Sequence, residues 1–212
     1  MEGLGCLVRP LLQQEVTERA RMNIILLTKA DFFEGETDIV NKQFSDGLQR
    51  LHLRKPTATK EELKAWIEDI RLPYRKRIVL HDHHDLAQEY GLGGIHLNRR
   101  NAEVPDWFSG DSFSLSRSCH TISEITAHQD GFDYVFLSPI FDSISKEGYH
   151  SAFSRDELLE AKRKGILSKN VYALGGITFD KLNEIQNLGF YGAAILGAFW
   201  NNELQTNRHI IW

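Results

Sequence analysis

The sequence contains little that could build a disulfide framework or cross a membrane. Its 212 residues include two cysteines, Cys6 and Cys119. Two cysteines cannot form a disulfide-rich scaffold or a cysteine-based zinc site, and such a low content is typical of a reducing compartment. No apolar run approaches the length needed to span a bilayer, and no clear signal-peptide pattern opens the chain. We therefore expect a cytoplasmic protein that has no membrane partner.

An excess of positive charge is also missing. The 25 Lys and Arg residues are outnumbered by 29 Asp and Glu residues, which gives a formal net charge of -4. The densest basic run, Arg71–Arg77, is interrupted by Leu72, Pro73 and Tyr74. Because nucleic-acid binding depends on a clustered basic surface, we expect a small-molecule substrate and no nucleic-acid partner.

Short apolar strands alternate with helical segments from Met22 onward, and the strands are bounded by glycine or polar residues. The eight predicted strands are Asn23–Thr28, Arg50–Leu53, Arg77–Leu80, Gly94–Leu97, Ser112–Ser116, Tyr134–Ser138, Asn170–Leu174 and Gly192–Leu196. The helical segments include Thr59–Ile70 and Ser154–Gly165. Each opens with Ser or Thr followed three residues later by Glu, the pattern of a capping box.

Eight strands that alternate with helices predict a parallel sheet, and right-handed crossovers can close such a sheet into a barrel. An open doubly wound sheet is the structural alternative, but the first strand-turn-helix carries no G-x-G-x-x-G. The predicted fold class is α/β, a single-domain (β/α)8 TIM barrel over residues 22–212. We expect residues 1–21 to be an N-terminal appendage. The alternative is that an upstream start codon was taken for the true one and that Met22 is the natural start. A homodimer is left open.

Function in such a barrel lies at the C-terminal ends of the strands. On strand two, His52 and Arg54 alternate with Leu51 and Leu53, so we expect the leucines to face the outer helices and the polar pair to point inward. A buried Arg needs an internal ion pair or an anionic ligand, and the location of Arg54 favours a ligand.

Two further strand ends carry histidines. His81-Asp82-His83-His84-Asp85 follows strand three, but consecutive residues cannot all converge on one ion. We expect Asp82 or His83 to cap the next helix, and Asp82 stays open as a metal ligand. After strand five, His120 suits a general acid or base, and a role in orienting the loop or capping the helix near Thr121 is equally open.

The last three strand ends suit anion binding. The loop after strand six offers donors for phosphate at Ser143, Ser145 and Lys146, although a solvated loop is the alternative. Gly175-Gly176 follows strand seven, and Leu196-Gly197 follows strand eight. The loops after these two strands form the recurrent phosphate cradle of such barrels, where glycine allows close approach of the backbone.

Taken in order, the motifs resemble those of thiamin phosphate synthases and their TenI relatives over roughly residues 22–199. The motifs are Arg50-Leu51-His52-Leu53-Arg54, His81-Asp82-His83-His84-Asp85-Leu86-Ala87, Gly94-Ile95-His96-Leu97, Ser118-Cys119-His120-Thr121, Asp133-Tyr134-Val135, Ser138-Pro139-Ile140-Phe141, Ala173-Leu174-Gly175-Gly176-Ile177 and Ala194-Ile195-Leu196-Gly197. The resemblance implies an enzyme of thiamin biosynthesis that binds thiazole phosphate. Synthases of this family join a pyrimidine methyl diphosphate to the thiazole phosphate with Mg2+. TenI relatives tautomerise a carboxylated thiazole phosphate with a histidine and no cofactor.

The departures from the synthase pattern fall on the diphosphate side. Where synthases carry Gln-Leu-Arg-Glu-Lys, Asn-Asp-Arg and a magnesium-binding Asp, this chain has His52-Leu53-Arg54-Lys55-Pro56, His81-Asp82-His83 and Asn101. Magnesium prefers carboxylates and substrate phosphates, so the loss of one carboxylate beside Arg99 and Arg100 should weaken a metal site.

The thiazole side is better retained, and Arg117-Ser118-Cys119-His120 is closer to the TenI motif. We therefore expect a TenI-like thiazole tautomerase with His120 as the catalytic residue. The expected substrate-binding residues are Arg54, Ser118, Ser143, Lys146, Gly175, Gly176, Leu196 and Gly197, and Asp82 is the candidate metal ligand. A thiamin phosphate synthase that uses Mg2+ and a non-catalytic binding protein remain the alternatives.

Overall fold

A computed structural model describes residues 22–142, 151–167 and 170–203. Within these ranges eight parallel strands close into a barrel in sequence order, and β8 pairs with β1. The strands are β1 Asn23–Leu27, β2 Leu51–Leu53, β3 Ile78–Leu80, β4 Gly94–Leu97, β5 Ser114–Cys119, β6 Tyr134–Leu137, β7 Val171–Leu174 and β8 Gly192–Ile195. The predicted single-domain (β/α)8 barrel is therefore confirmed.

Helices follow every strand except β4. They are α1 Glu36–Ser45, α2 Lys60–Glu68, α3 Asp85–Tyr90, α4 Ile122–His128, α5 Arg155–Arg163, α6 Leu182–Asn187 and α7 Gly197–Glu203. Short 3-10 turns cover Leu72–Arg77, Gln129–Gly131 and Phe179–Lys181. Residues 98–113, between β4 and β5, contain turns and bends and no helix. None of the helices described in this chain is long and apolar enough to cross a bilayer.

Alternation along the strands divides the apolar residues into two layers. Leu51 and Leu53 lie in the larger apolar cluster, which fills the space between the strands and the helices, together with Leu63 and Trp66 of α2. A smaller cluster fills part of the barrel interior and contains Ile25, Leu27, Tyr134, Phe136 and Ala194. His52 is also fully buried, and it contacts Phe136 of this inner cluster. The inward orientation predicted for His52 is thus observed.

The two predicted capping boxes are present. The Thr59 hydroxyl accepts a hydrogen bond from the Glu62 N–H, and the Glu62 carboxylate accepts one from the Thr59 N–H at 2.8 Å. Ser154 and Glu157 make the same pair of bonds at the start of α5. Each box satisfies two backbone donors that would otherwise lack partners, so these two helices begin where the sequence predicts.

The position of β5 differs from the prediction. The predicted strand covers Ser112–Ser116, whereas the observed strand covers Ser114–Cys119. Arg117 pairs with Leu97 of β4 and Ser118 pairs with Phe136 of β6, so both neighbouring strands support the extension. Ser118 therefore points into the barrel from a strand instead of lying in a loop. Polar serine and arginine side chains hid this extension in the hydrophobic pattern.

Candidate active site at the C-terminal mouth of the barrel

The strand registers bring the predicted site residues to one end of the barrel. Leu53 pairs with Leu80, which places Arg54 beside His81 at the ends of β2 and β3. Cys119 pairs with Leu137, which places His120 beside Ser138. Leu174 pairs with Ala194, so the glycine turn after β7 lies next to the turn after β8. All of these groups follow the carboxyl ends of parallel strands, where barrels of this type bind their ligands.

Asp82 lies at this mouth in contact with two neighbouring side chains. The Arg100 guanidinium donates to Asp82 Oδ1 from Nε at 3.1 Å and from Nη2 at 3.0 Å, and Nη2 lies 3.1 Å from Oδ2. Asn101 Nδ2 donates to the same Oδ1 at 2.9 Å. The Asp82 side chain is 13% exposed and that of Arg100 is 44% exposed, so this ion pair is partly shielded from solvent.

Asp82 and His83 do not cap the helix that follows them, which corrects the sequence analysis. The residue at the N-cap of α3 is His84, and its side chain makes no capping hydrogen bond. His83 adopts a left-handed backbone conformation, and its ring nitrogen Nε2 donates to the Ala58 carbonyl at 3.2 Å. The Asp82 carboxylate is instead held by the loop after β4, which no local pattern around residue 82 indicates.

The guanidinium of Arg54 is partly buried and makes no hydrogen bond to another described residue. Its backbone N–H donates to the Thr28 hydroxyl at 2.9 Å, which fixes the strand end. Burial and the positive charge of Arg100 lower the pKa of Arg54, and Asp82 opposes that change. Asp82 is hydrogen bonded to Arg100 and not to Arg54, so an anionic ligand would satisfy the remaining Arg54 donors.

The residues at this mouth do not fit a magnesium ion held by carboxylates. Asp82 is the carboxylate predicted for that role, and both its oxygens already contact Arg100. Asn101 supplies an amide and directs its nitrogen, a donor, at Asp82. A hard divalent cation needs oxygen ligands at about 2.0–2.1 Å, and it would have to displace a positively charged group to reach Asp82. The assignment of Asp82 as a metal ligand stays a prediction.

His120 is exposed at the end of β5, and Ser138 orients its ring. Its Nδ1 lies 3.1 Å from the Ser138 carbonyl oxygen and 3.5 Å from the Ser138 hydroxyl oxygen. The carbonyl can only accept, so this nearer contact favours the tautomer with hydrogen on Nδ1 and an accepting Nε2. The hydroxyl of Thr121, rather than His120, accepts the hydrogen bond from the Glu124 N–H at the start of α4. His120 therefore does not cap the helix through its side chain.

The glycines after β7 are required by the close approach of another loop. Gly175 and Gly176 have φ values of 98° and 63°, which side chains with a Cβ rarely adopt. A Cβ at Gly176 would collide with the Asp142 carbonyl oxygen, and one at Gly175 would lie 2.9 Å from the Pro139 Cα. The turn thus packs against the segment after β6. Leu196 and Gly197 adjoin it, and Gly197 is the first residue of α7.

Three of the predicted binding residues have other positions or are not described. The Ser118 hydroxyl lies 2.9 Å from His96 Nε2 inside the barrel. Ser143 and Lys146 lie outside the described residues. Their predicted contacts with phosphate stay predictions, as does the binding role of Ser118.

A buried hydrogen-bonded network, which the sequence analysis missed, lies beneath the mouth. His52 Nδ1 lies 2.9 Å from His81 Nε2, and His52 Nε2 lies 2.6 Å from the Tyr134 hydroxyl. His96 Nδ1 lies 2.9 Å from the Ser116 hydroxyl. Burial lowers the pKa values of His52 and His81 well below their usual range and lowers the pKa of His96 to about 3. The three rings are therefore neutral at physiological pH.

The three histidines place ligand-type nitrogens within 4.8 Å of one another, but several of these nitrogens are already used in hydrogen bonds. The rings of His81 and His96 are stacked, with centroids 4.1 Å apart and planes 24° apart. The lone pairs of imidazole lie in the ring plane. In two stacked rings these lone pairs therefore point in nearly parallel planes and not toward one shared ion. As arranged here, these histidines form a hydrogen-bonded network and not a coordination site.

A cavity of about 540 Å3 lies at the opposite end of the barrel. Its walls come from the N-terminal ends of the strands and include Arg50, Tyr134, Tyr172 and Tyr191. The Arg50 guanidinium lies over the Tyr134 ring at 4.8 Å from the centroid. Because the strand ends that carry the candidate site point away from this cavity, its size does not make it the candidate active site.

Glycine turns after β7 and β8 and the Arg54 guanidinium after β2 thus lie at one mouth of a closed (β/α)8 barrel, the end at which barrels of this class carry their functional sites. The sequence profile of the thiamine monophosphate synthase family matches residues 24–199. This chain belongs to that family.

Individual relatives agree with this assignment. A thiamine-phosphate synthase of Dictyoglomus turgidum is 31% identical over 175 residues, which are 79% of this chain and 78% of that protein. A thiamine-phosphate synthase of Caldicellulosiruptor bescii is 29% identical over 167 residues, or 75% of each chain. The crystal structure of a thiamine phosphate pyrophosphorylase from Bacteroides thetaiotaomicron superposes with a TM-score of 0.78 and is 37% identical; the match covers 89% of this chain and 90% of that one.

Proposed function

We propose that this protein is a thiamin phosphate synthase, a transferase that joins hydroxymethylpyrimidine diphosphate to thiazole phosphate. The names of its relatives favour this activity over the tautomerase that the sequence analysis preferred. The observation that carries the proposal is that two groups of candidate anion donors lie at one mouth of the barrel. The glycine turns after β7 and β8 lie on one side of β1, and Arg54 lies on the other side.

Two anion-binding regions suit a reaction between two phosphorylated substrates. In this reaction the thiazole nitrogen forms a bond to the methylene carbon of the pyrimidine, and the bond from that carbon to the diphosphate oxygen breaks. The diphosphate leaves with the electron pair and gains negative charge. Arg54 is placed to neutralise that charge, and the backbone N–H groups near Gly176 and Gly197 are placed to hold the thiazole phosphate.

The test is formation of thiamin phosphate from the two purified substrates, with and without magnesium. We expect turnover, and we expect Arg54→Gln to reduce it by about 10-fold to 100-fold, since a charge-assisted hydrogen bond contributes roughly 1.5–3 kcal/mol. Arg155→Gln is the matched control, because Arg155 is 64% exposed and pairs with Glu184 on the outer helices. Absence of thiamin phosphate under all conditions would reject the proposal.

A TenI-like thiazole tautomerase is the second candidate, and the orientation of His120 favours it. A tautomerase removes a proton from one atom of the carboxylated thiazole phosphate and returns a proton to another. In the tautomer that donates from Nδ1 to the Ser138 carbonyl, Nε2 of His120 can accept that proton. His120→Gln is then expected to lower tautomerisation by about 10²–10⁴-fold with little change in affinity for the thiazole phosphate. Turnover in neither assay, with retained binding, would favour the non-catalytic alternative.

A further inference from the structure

The charges at the ends of β2, β3 and β4 leave an unbalanced positive charge at the mouth. The Arg54 side chain is influenced by the positive charge of Arg100 and by the negative charge of Asp82. Asp82 pairs with Arg100 at 3.0 Å, so one carboxylate faces two guanidinium groups. His81 lies beside Arg54, and because its ring is neutral it does not change the net charge of this region. This group of three charged residues therefore carries one net positive charge and attracts an anion.

Donors of both arginines remain available for that anion. Arg100 uses Nε and Nη2 on Asp82, which leaves the two N–H groups of Nη1 without a partner among the described residues. Arg54 makes no side-chain hydrogen bond within the same set. A guanidinium keeps its charge at any pH of interest, and its planar donors match the paired oxygens of a phosphate group.

Asp82 and Asn101 fix the position of Arg100 before a ligand arrives. The Asn101 side chain donates both to Asp82 Oδ1 at 2.9 Å and to the His81 carbonyl at 3.0 Å. The Asn98 side chain accepts from the Arg100 backbone N–H at 2.9 Å and donates to the same His81 carbonyl at 2.8 Å. These bonds tie the Arg100 loop to the end of β3, so less conformational freedom is lost when Arg100 binds.

We propose that Arg54 forms a diphosphate-binding site with Arg100, which Asp82 and Asn101 hold in place, and that this site works without a divalent cation. The Arg100 guanidinium occupies the position beside Asp82 that a magnesium ion would need. The inference rests on the proposed function, because diphosphate is the group that leaves in that reaction. It differs from the magnesium-dependent site that the family resemblance implies.

Calorimetry of the full chain with inorganic pyrophosphate tests this site directly. We expect binding in excess EDTA, with no more than about a threefold gain in affinity when magnesium replaces EDTA. Arg100→Gln should weaken binding in EDTA by about 10-fold to 100-fold, since a charge-assisted hydrogen bond and a unit of charge are lost. Arg155→Gln, a surface arginine on α5, should leave the affinity unchanged.

Asp82→Asn separates this proposal from a magnesium site. Removal of the carboxylate raises the net positive charge at the mouth, so pyrophosphate binding in EDTA should persist within about tenfold. At a magnesium site the same substitution would abolish metal-dependent binding. Pyrophosphate binding that requires magnesium and is lost in Asp82→Asn would overturn the proposal.

The turnover assay distinguishes failure of this inference from failure of the proposed function. Pyrophosphate binding in EDTA without any formation of thiamin phosphate would reject the synthase activity and leave the anion site standing. Formation of thiamin phosphate that depends strictly on magnesium, together with no pyrophosphate binding in EDTA, would support the synthase activity and reject the metal-free anion site.

Discussion

Acid should destabilise this protein well above the pH at which carboxylates titrate, because its barrel interior holds neutral histidines. His52 and His96 have no exposed surface, and His81 is 4% exposed. Burial holds the pKa values of all three below the ordinary value for histidine. In the unfolded chain the same residues bind protons near pH 6.5, so the unfolded state gains protons that the folded state does not. Stability is therefore lost as pH falls through about 6.5.

The size of the loss follows from the three sites. A histidine that stays neutral in the folded protein contributes about 1.4 kcal/mol of destabilisation between pH 7.5 and pH 5.5, so three contribute roughly 4 kcal/mol. His84, whose pKa is lowered mainly by burial, adds to the loss. The pKa of Glu36 is raised, so its protonation stabilises the folded protein as pH falls. This opposing effect lies closer to the usual pKa of glutamate than to that of histidine. Typical domains are stable by about 5–15 kcal/mol, so the effect is a large part of the total.

The assay is urea unfolding at steps of about 0.5 pH unit from about pH 7.5 to pH 5.5, with the free energy of unfolding plotted against pH. Near pH 5.5 the slope should approach three protons taken up per molecule unfolded. His52→Gln should lower the slope by about one proton. Gln is the residue at this position in the synthase motif that the sequence resembles. A wild-type slope below about one proton would show that the interior histidines protonate in the folded state, and the reasoning would fail.

Two further substitutions test the mouth and the interior. Gly197→Asp places a negative charge at the first residue of α7, where Asp is compatible with a helix, so binding of thiazole phosphate should be abolished while the urea midpoint is retained; unchanged affinity in calorimetry would remove this turn from the phosphate site. Tyr134→Phe leaves His52 Nε2 without its partner at 2.6 Å and should lower the free energy of unfolding by about 1–3 kcal/mol; a change below about 0.3 kcal/mol would mean that water or another group replaces the hydroxyl.

Much of the architecture could be predicted because the signals for it are local. Leu51 and Leu53 alternate with His52, and this period of two placed the leucines under the helices and the histidine inside. The capping residues Thr59 and Ser154 lie three positions before their glutamates, a spacing that depends on helix geometry alone. Patterns of this kind need no knowledge of distant parts of the chain.

The contacts that decide the chemistry could not be predicted because they join residues far apart in sequence. Asp82 and Arg100 come from different loops, so the sequence shows a carboxylate suited to a metal and hides the cation that pairs with it. His52 and Tyr134 are 82 positions apart and meet inside the barrel. Lys55 is a similar case: its ammonium group is fully buried against the Glu36 carboxylate at 2.7 Å, although lysine usually lies at the surface.

The polar half of the barrel interior has a consequence for the mouth above it. Strands β2, β4 and β5 contribute His52, His96 and Ser116, and His81 directly follows β3, whereas β1, β6, β7 and β8 contribute mainly apolar and aromatic side chains. Each buried ring is kept neutral by burial and by neighbouring positive charge, including that of Arg54 on His81. Buried carboxylates in their place would pair with the arginines and cancel the field. Because the interior beneath β2 to β4 is hydrogen bonded and uncharged, the positive charge of the two arginines is directed toward the open mouth, where an anionic ligand can reach it.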